Sequence, residues 1–370
     1  MALGKIFYGW KIVGVSIVGL ATGWAALGIF SFGQFIKPLE NAFGWSRGEI
    51  SNTLLVINLT GICMAPVLGI LVDRFGVRRV LVPSSFMLGV LVASLYFLTS
   101  NIWHFYLVWF CVAVFGAAAT PLSYSKVIVE WFDRRRGLAL GLGLAGVGLG
   151  AALMPAISHG LITNYGWQVG YLGLGGIVLL VSSPVLYVFL RNTPQEMNLN
   201  SDGDLDSTLE TDVIVGFTVA ETVRRRPFWL MVSMFTLVGM SATAVIIHLT
   251  PLLIESGISR ERAAAIQALM GLSLIFGRVF AGFLMDRIFA PYVSIAFLLG
   301  PVVGLALLAT GVSGTTATAA AVLVGLAIGA EFDVLSYFVS RYFGLLSFGL
   351  IFGLLFAAFE LGAGLGPALL

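Results

Sequence analysis

Long apolar runs separated by short charged turns recur along the whole chain. They cover about 12–36, 51–72, 80–99, 103–130, 138–161, 168–190, 228–254, 262–285, 292–311, 316–343 and 345–370. An α-helix rises 1.5 Å per residue, so about 20 apolar residues cross the hydrocarbon core of a bilayer. The pattern therefore predicts an all-α polytopic membrane protein with eleven spans. The alternating short segments of an outer-membrane barrel are not seen. The first run exceeds the roughly 7–15 apolar residues of a signal peptide, so it is read as a retained span.

Composition agrees with this pattern. Only 10% of the 370 residues are charged and 59% are hydrophobic, with a mean hydropathy of +1.00. A soluble domain carries about 25% charged residues, so water is not the solvent for most of this surface. Cys63 and Cys111 lie inside apolar runs and read as small hydrophobic side chains. Basic residues set the orientation. With the N-terminus inside, Lys5, Lys11, Arg74, Arg78, Arg79, Arg134, Arg135, Arg136, Arg191, Arg224, Arg225, Arg226 and Arg287 are cytoplasmic, and only Lys37, Arg47, Arg260 and Arg262 are outside. The chain is expected in the cell (plasma) membrane, multi-pass, with its N-terminus cytoplasmic.

One long polar segment interrupts the spans. The organisation expected is a six-helix bundle over 1–190, a cytoplasmic linker over 191–227 and a second bundle over 228–370. NTPQEMNLNSDGDLDSTLETD holds six acids and no base, which predicts a solvated tether. VAETVRRRPFW then turns basic and aromatic, as expected of an anchor at the membrane surface.

The two bundles share a register. At an offset of 213, Pro38-Leu39 matches Pro251-Leu252, and Gly44-x-Ser46-Arg47 matches Gly257-x-Ser259-Arg260. Gly69-x-Leu71-x-Asp73-Arg74 matches Gly282-x-Leu284-x-Asp286-Arg287, and Gly116-Ala117 with Leu122-Ser123-Tyr124 matches Gly329-Ala330 with Leu335-Ser336-Tyr337. An offset of six spans preserves orientation, so the repeats are parallel, one of the known transporter designs. The same offset places a twelfth span near 381–403, past Leu370, and the expectation is a chain truncated within span eleven.

The stretch Gly69-x-Leu-x-Asp73-Arg74-x-Gly76-x-Arg78-Arg79 resembles the loop 2–3 motif of the major facilitator superfamily. FYGWK at 7–11, FGWSRGEIS at 43–51, WFDRRRGLALG at 131–141 and GAEFDVLSYFVSRYFG at 329–344 resemble the monocarboxylate and oxalate/formate porters. The resemblance implies a major facilitator fold, alternating access around a central site, and a cytoplasmic latch built from Gly69, Asp73, Arg74, Gly76, Arg78 and Arg79, with Asp286 and Arg287 as its second copy. Physical chemistry supports the latch: Gly76 can take a positive φ in a tight turn, and Asp73 can complement a helix N-terminus. In the second copy Ile288-Phe289-Ala290-Pro291 replaces the glycine and the basic pair, so a weaker latch is expected.

Charges inside spans are the candidates for transport chemistry. Arg278 lies eight residues before Asp286, about 12 Å inward along its helix. A buried guanidinium needs an anion and matches a carboxylate bidentately. Gln267, Gly271, Leu274 and Arg278 fall on one helical face. The resemblance also places Arg278 where such porters hold their anionic substrate, while a structural ion pair is the alternative. Glu331 and Asp333 are two residues apart, so they point about 160° away from each other. Asp333, Tyr337 and Arg341 share a face, and Glu360 is another intramembrane acid. Proton coupling is assigned to one of Asp333, Glu331 and Glu360, with structural pairing as the alternative. Lys126 and Glu130 read as an i,i+4 pair, and Asn58, Tyr124 and Tyr337 as lining candidates. Gly141, Gly143, Gly146, Gly148 and Gly150, echoed by Gly362, Gly364 and Gly366, allow close helix contact.

The animal porters carry a first-span lysine and an eighth-span aspartate. Here the first span has no charge before Lys37, and Leu274 stands at the aspartate's place. The oxalate exchangers use a lysine in span eleven, whereas this chain has none after Lys126. A single midplane arginine suits a monoanion better than a dianion. The resulting expectation is a secondary transporter of a small organic monoanion, coupled to a proton. The rival is an exporter of apolar or cationic compounds by proton antiport, drawn by the acids at 331, 333 and 360. A membrane-embedded enzyme is disfavoured: His104, His159 and His248 lie far apart, no metal-ligand spacing occurs, and no Gly-x-Ser-x-Gly is present. The expected partners are a small organic anion, a proton and the lipid bilayer. No metal, cofactor, nucleic acid or obligate protein partner is expected.

Overall fold

A computed structural model describes residues 7–203 and 216–369. Among them are ten helices long and apolar enough to cross a membrane and, fourth in chain order, a pair of shorter ones, named here together α1 to α11. The first, α1, runs in three pieces: Gly9–Ala21, a π turn Ala26–Phe30 and Phe32–Phe43. Then come α2 (Arg47–Phe75), α3 (Val77–Phe97) and α4, split into α4a (Ile102–Phe115) and α4b (Pro121–Trp131). The remainder are α5 (Arg136–Tyr165), α6 (Trp167–Phe189), α7 (Arg226–Glu255), α8 (Arg260–Met285), α9 (Ala290–Ala309), α10 (Gly314–Phe343) and α11 (Phe348–Leu369).

The repeated polar groups turn out to be stop and start signals. Gly44 and Gly257 both adopt left-handed conformations, with φ of +71° and +84°, which glycine reaches without steric cost. Two residues later Ser46 and Ser259 cap the following helices, accepting from the backbone N–H of Glu49 and Arg262. Gly76 holds φ +81° at the corner between α2 and α3.

The fourth span is not one helix, as the apolar run 103–130 implied. It breaks over residues 116–120. Thr120 precedes Pro121 and sits at φ −119°, ψ 165°, because the proline ring clashes with a helical residue before it. Ser84 of α3 sutures the gap, donating to the Phe115 carbonyl at 2.5 Å and accepting from Ala118 N–H at 3.2 Å. The first span breaks at residues 22–23 as well, and Trp24 N–H donates across to the Ala119 carbonyl at 3.3 Å. The two breaks therefore meet.

Glycines set how the halves touch. A Cβ on Gly69 of α2 would strike the backbone of Gly349 in α11, and one on Gly353 would strike that of Ala65. Between α5 and α8, Gly137 faces Gly282 and Gly141 faces the Arg278 backbone, whereas Gly148 meets only the Ile275 side chain. Backbone contact thus gives way to side-chain contact with distance from the arginine-rich end. Beyond it, the far part of the second half packs on itself, around Leu249, Ile266 and Val324. The halves join at the arginine-rich end and part toward the other.

The linker's first stretch is not a free tether. Asn192 accepts from Arg78 N–H at 2.8 Å. Asp202 accepts from the consecutive N–H groups of Asp133, Arg134 and Arg135 at 3.0, 2.6 and 3.4 Å. Acidic side chains find a concentration of backbone donors there, which repays their ordering. The rest of the acidic run, 204–215, lies outside the described residues. On its far side Phe217 N–H donates to the Phe343 carbonyl at 2.9 Å.

Candidate functional site

Where the halves part, a cavity of about 220 Å³ opens between them. The two helix breaks form one wall, with Trp24 from α1 and Thr120 and Pro121 at the start of α4b. Asn58 of α2 adds a polar side chain. The opposite wall is Glu331 and Phe332 of α10 with Phe356, Phe359 and Glu360 of α11. Among the described residues no lysine, arginine or histidine lines it.

Arg278 is buried behind this wall, 2% exposed, where Gly329 lets α10 close on the α8 backbone at Leu274 and Arg278. It lies within electrostatic range of both Glu331 and Asp333. Its Nε and Nη1 have no hydrogen-bond partner, nor do Glu331 Oε2 or either oxygen of Asp333. An ionisable cluster buried with so few hydrogen bonds is an expensive arrangement in a low-dielectric interior.

Of the five residues read as substrate-binding, only Asn58 reaches the cavity. Gln267 turns instead to α7, at 3.4 Å from Thr250 Oγ1 and 3.5 Å from the Ile246 carbonyl. Tyr124 is fully buried against Gly19, and Tyr337 donates to the Met285 carbonyl at 3.1 Å. Gly271, on the same helical face as Gln267, borders open space. The expected single lining of Gln267, Gly271, Leu274 and Arg278 is thus not assembled, because α8 buries its Gly277–Arg278 edge against α10. Of the acids, Glu331 and Glu360 share the cavity while Asp333 faces away, as its angular offset from Glu331 requires.

The arginine-rich end is closed by two matched clasps. Asp73, at the end of α2, accepts from Gly349 and Leu350 N–H, both at 2.9 Å, and from Lys126 Nζ at 2.7 Å. Asp286, at the end of α8, accepts from Gly137 and Leu138 N–H at 2.7 and 2.9 Å. Each carboxylate caps the first turn of a helix in the opposite half, where unpaired N–H groups and the helix dipole favour an anion. Asp286 has no lysine partner in these contacts, since Val339 stands where the first copy has Lys126. Burial pushes the Asp286 carboxyl above its ordinary range, although the Leu138 and Gly137 N–H groups pull the other way. Arg74, Arg78, Arg79 and Arg287 are peripheral to these caps. Arg78 donates to the Tyr187 carbonyl and Arg287 to that of Phe283, and Arg74 lies over the Phe75 ring.

Sequence reasoning missed several members of this closure. Asp133 Oδ1 joins Arg136 at 3.1 Å and Arg341 at 2.9 Å, which ties the α4–α5 loop to the end of α10. Arg136 also reaches Ser340 at 3.2 Å, and Ser336 donates to Ser125 across the halves at 2.7 Å. The repeat pairs Tyr124 with Tyr337, so the neighbouring serines at 125 and 336 were the available signal. Lys126 pairs with Glu130 at 3.5 Å as expected, yet its shorter partner is Asp73.

A family model described as the Major Facilitator Superfamily matches residues 18–367. The Escherichia coli protein described as the uncharacterized MFS-type transporter YhjX is 25% identical over 361 residues, covering 94% of this chain and 85% of that protein. Monocarboxylate transporter 2 of Mesocricetus auratus is 24% identical over 296 residues, with 75% and 59% covered. Human monocarboxylate transporter 11 is 27% identical over 321, with 82% and 64% covered. The chain thus spans about three fifths of these two transporters' lengths. Among solved structures, the Escherichia coli fucose:proton symporter FucP superposes with a TM-score of 0.76 at 13% identity, over 98% of this chain and 91% of that one. The human organic anion transporter MFSD10 gives 0.72 at 15%, over 98% and 92%. At these identities the likeness concerns the fold.

Proposed function

Because the chain belongs to the Major Facilitator Superfamily, we propose that it is a secondary active transporter of a small organic monoanion, a monocarboxylate, moved together with a proton by alternating access. The observation that carries this reading is Glu331 on the cavity wall with Arg278 buried behind it. While Glu331 and Asp333 are both ionised they outnumber the single guanidinium of Arg278, and the net negative charge repels an anion from the cavity. A proton on either acid leaves the other to balance Arg278 and removes that repulsion, and a carboxylate entering beside Asn58 then replaces the lost negative charge. Anion and proton bind in the same state, which is the requirement for symport. The printed names of the monocarboxylate transporters support the substrate class.

The arginine-rich end is assigned to the cytoplasm by its charge, in the cell membrane with the N-terminus inside, which makes the present state outward-facing. Asp73 and Asp286 gate it, with Gly69 and Gly76 giving the approach and the turn. In proteoliposomes, an inward proton gradient is expected to stimulate uptake of radiolabelled propionate. Arg278→Ala is expected to reduce that uptake at least tenfold, and Glu331→Gln to abolish its dependence on the gradient. Equal uptake by Arg278→Ala removes this arginine from the mechanism. A second reading, proton-driven export of apolar or cationic compounds, is favoured by one observation: acids and no bases line the cavity. Expulsion of tetraphenylphosphonium from energised cells, with no propionate uptake, would establish it instead.

A further inference from the structure

The cavity is electrically polarised from wall to wall. On one side α4b begins with Thr120 as its N-cap residue, and Thr120, Pro121 and Leu122 all face the cavity. Thr120 does not cap its own helix. Its hydroxyl donates backward to the Ala117 carbonyl at 2.9 Å, so the first-turn N–H groups keep their positive end toward the cavity. The half-helix runs eleven residues from there.

On the other side stand two carboxylates. Glu331 is 4% exposed, and its Oε2 has no partner. Glu360 lies on the same cavity, within electrostatic range of Glu331. Arg278 is shared between Glu331 and Asp333, so it leaves Glu360 without a positive neighbour among the lining residues. Around these acids are the rings of Phe332, Phe356 and Phe359, with Trp24 across the cavity. Aromatic side chains beside a carboxylate pair make a receptor for an ammonium or quaternary ammonium group.

We propose that the solute is a small zwitterion, whose carboxylate meets the N-terminus of α4b and whose cationic nitrogen sits between Glu331 and Glu360. The proposal rests on reading this cavity as the solute site, and it narrows the carboxylate class to those bearing a cationic group. One solute answers both walls: its anion satisfies the uncapped turn, and its cation neutralises acids that no lining side chain neutralises.

The test is binding to the purified, intact protein by isothermal titration, with glycine betaine set against its separate halves, propionate and tetramethylammonium, and against its methyl ester. Betaine is expected to bind at least tenfold more tightly than either half. The ester, which keeps the cation and loses the anion, is expected to fall to the level of tetramethylammonium. Glu331→Gln and Glu360→Gln should each lower the ratio of betaine to propionate affinity at least tenfold. Propionate binding as tightly as betaine overturns the zwitterion and leaves the monocarboxylate reading standing. Tetramethylammonium or the ester matching betaine overturns both. The ligand series on the unaltered protein decides the matter even where a variant fails to fold.

Discussion

The fourth helix of each half carries the same frame with opposite contents. Residues 116–124 read GAAATPLSY and residues 329–337 read GAEFDVLSY. Pro121 in the first corresponds to Val334 in the second, and Ala118 and Thr120 correspond to Glu331 and Asp333. The first copy breaks and presents a helix N-terminus. The second stays helical through Phe338 and buries two acids. Duplication supplied one scaffold, and Pro121 in one copy set a helix N-terminus on the cavity where the other copy set the carboxyl of Glu331.

The largest effects are expected where backbones touch. Gly69→Val and Gly137→Val place a side chain inside the opposing backbone, so the clasped state should disappear. Cysteines at Ser125 and Ser336, whose hydroxyls are 2.7 Å apart, report this by disulfide formation in a background lacking Cys63 and Cys111. Gly160→Ala, with open space around it, is the silent control. Wild-type cross-linking in Gly69→Val would refute the contact.

Asp73→Ala ranks next. It takes from Lys126 its shortest partner, leaving Glu130 at 3.5 Å, and uncaps α11, and hydrogen bonds to a charged group contribute about 1.5–3 kcal/mol each. Asp286→Ala uncaps α5 without taking a carboxylate from a lysine, for about 1–2 kcal/mol. The same cross-link should therefore fall much further for Asp73→Ala, and equal losses would show that Lys126 adds nothing to the first clasp.

Pro121→Val tests the comparison between the fourth helices directly. Removing the proline lets α4 close its gap as α10 does, and a buried helix terminus with its dipole is worth about 1–2 kcal/mol to a bound carboxylate. Binding of carboxylate solutes is expected to weaken by roughly tenfold, read by titration, while tetramethylammonium is unaffected.

Arg341→Ala should do least among the closure variants. Its partner Asp133 is 54% exposed, and such pairs contribute about 0–1 kcal/mol, so cross-linking should drop less than fivefold and converge with wild type in high salt. Acidity adds one further small effect. Asp286 titrates higher in the clasp than in water, so the clasped state takes up its proton more readily than an open one. That contribution is present at low pH and is lost as pH rises through the raised carboxyl value. In a protein carrying Asp73→Asn, closure should strengthen modestly on acidification, and Asp286→Asn should remove the dependence.

Much of this was legible in the chain itself. Apolar run length marks the membrane-length helices, ten of which the described residues hold where the chain shows eleven runs, because a segment of that length crosses a bilayer with its backbone satisfied internally. The repeat at offset 213 fixes which helices correspond. Asp73 could be read as a helix-capping anion, and Pro121 carried the signal for the broken fourth span. Which helix an anion caps is not local information. Gly349 is 276 residues from Asp73, and only packing brings them together. The same holds for the lining: Arg278, Gln267, Tyr124 and Tyr337 sit at plausible helical positions, but rotation of each helix about its axis decides what it faces. That rotation is set by glycine contacts such as Gly329 on Leu274 and Gly141 on Arg278. Sequence determined the helices, their order and their charges, since these follow from solvent and periodicity. Tertiary structure alone decided that Glu331 and Glu360 share a cavity while Arg278 stands behind it, since helix rotation is a property of the packed pair and not of either strand of sequence.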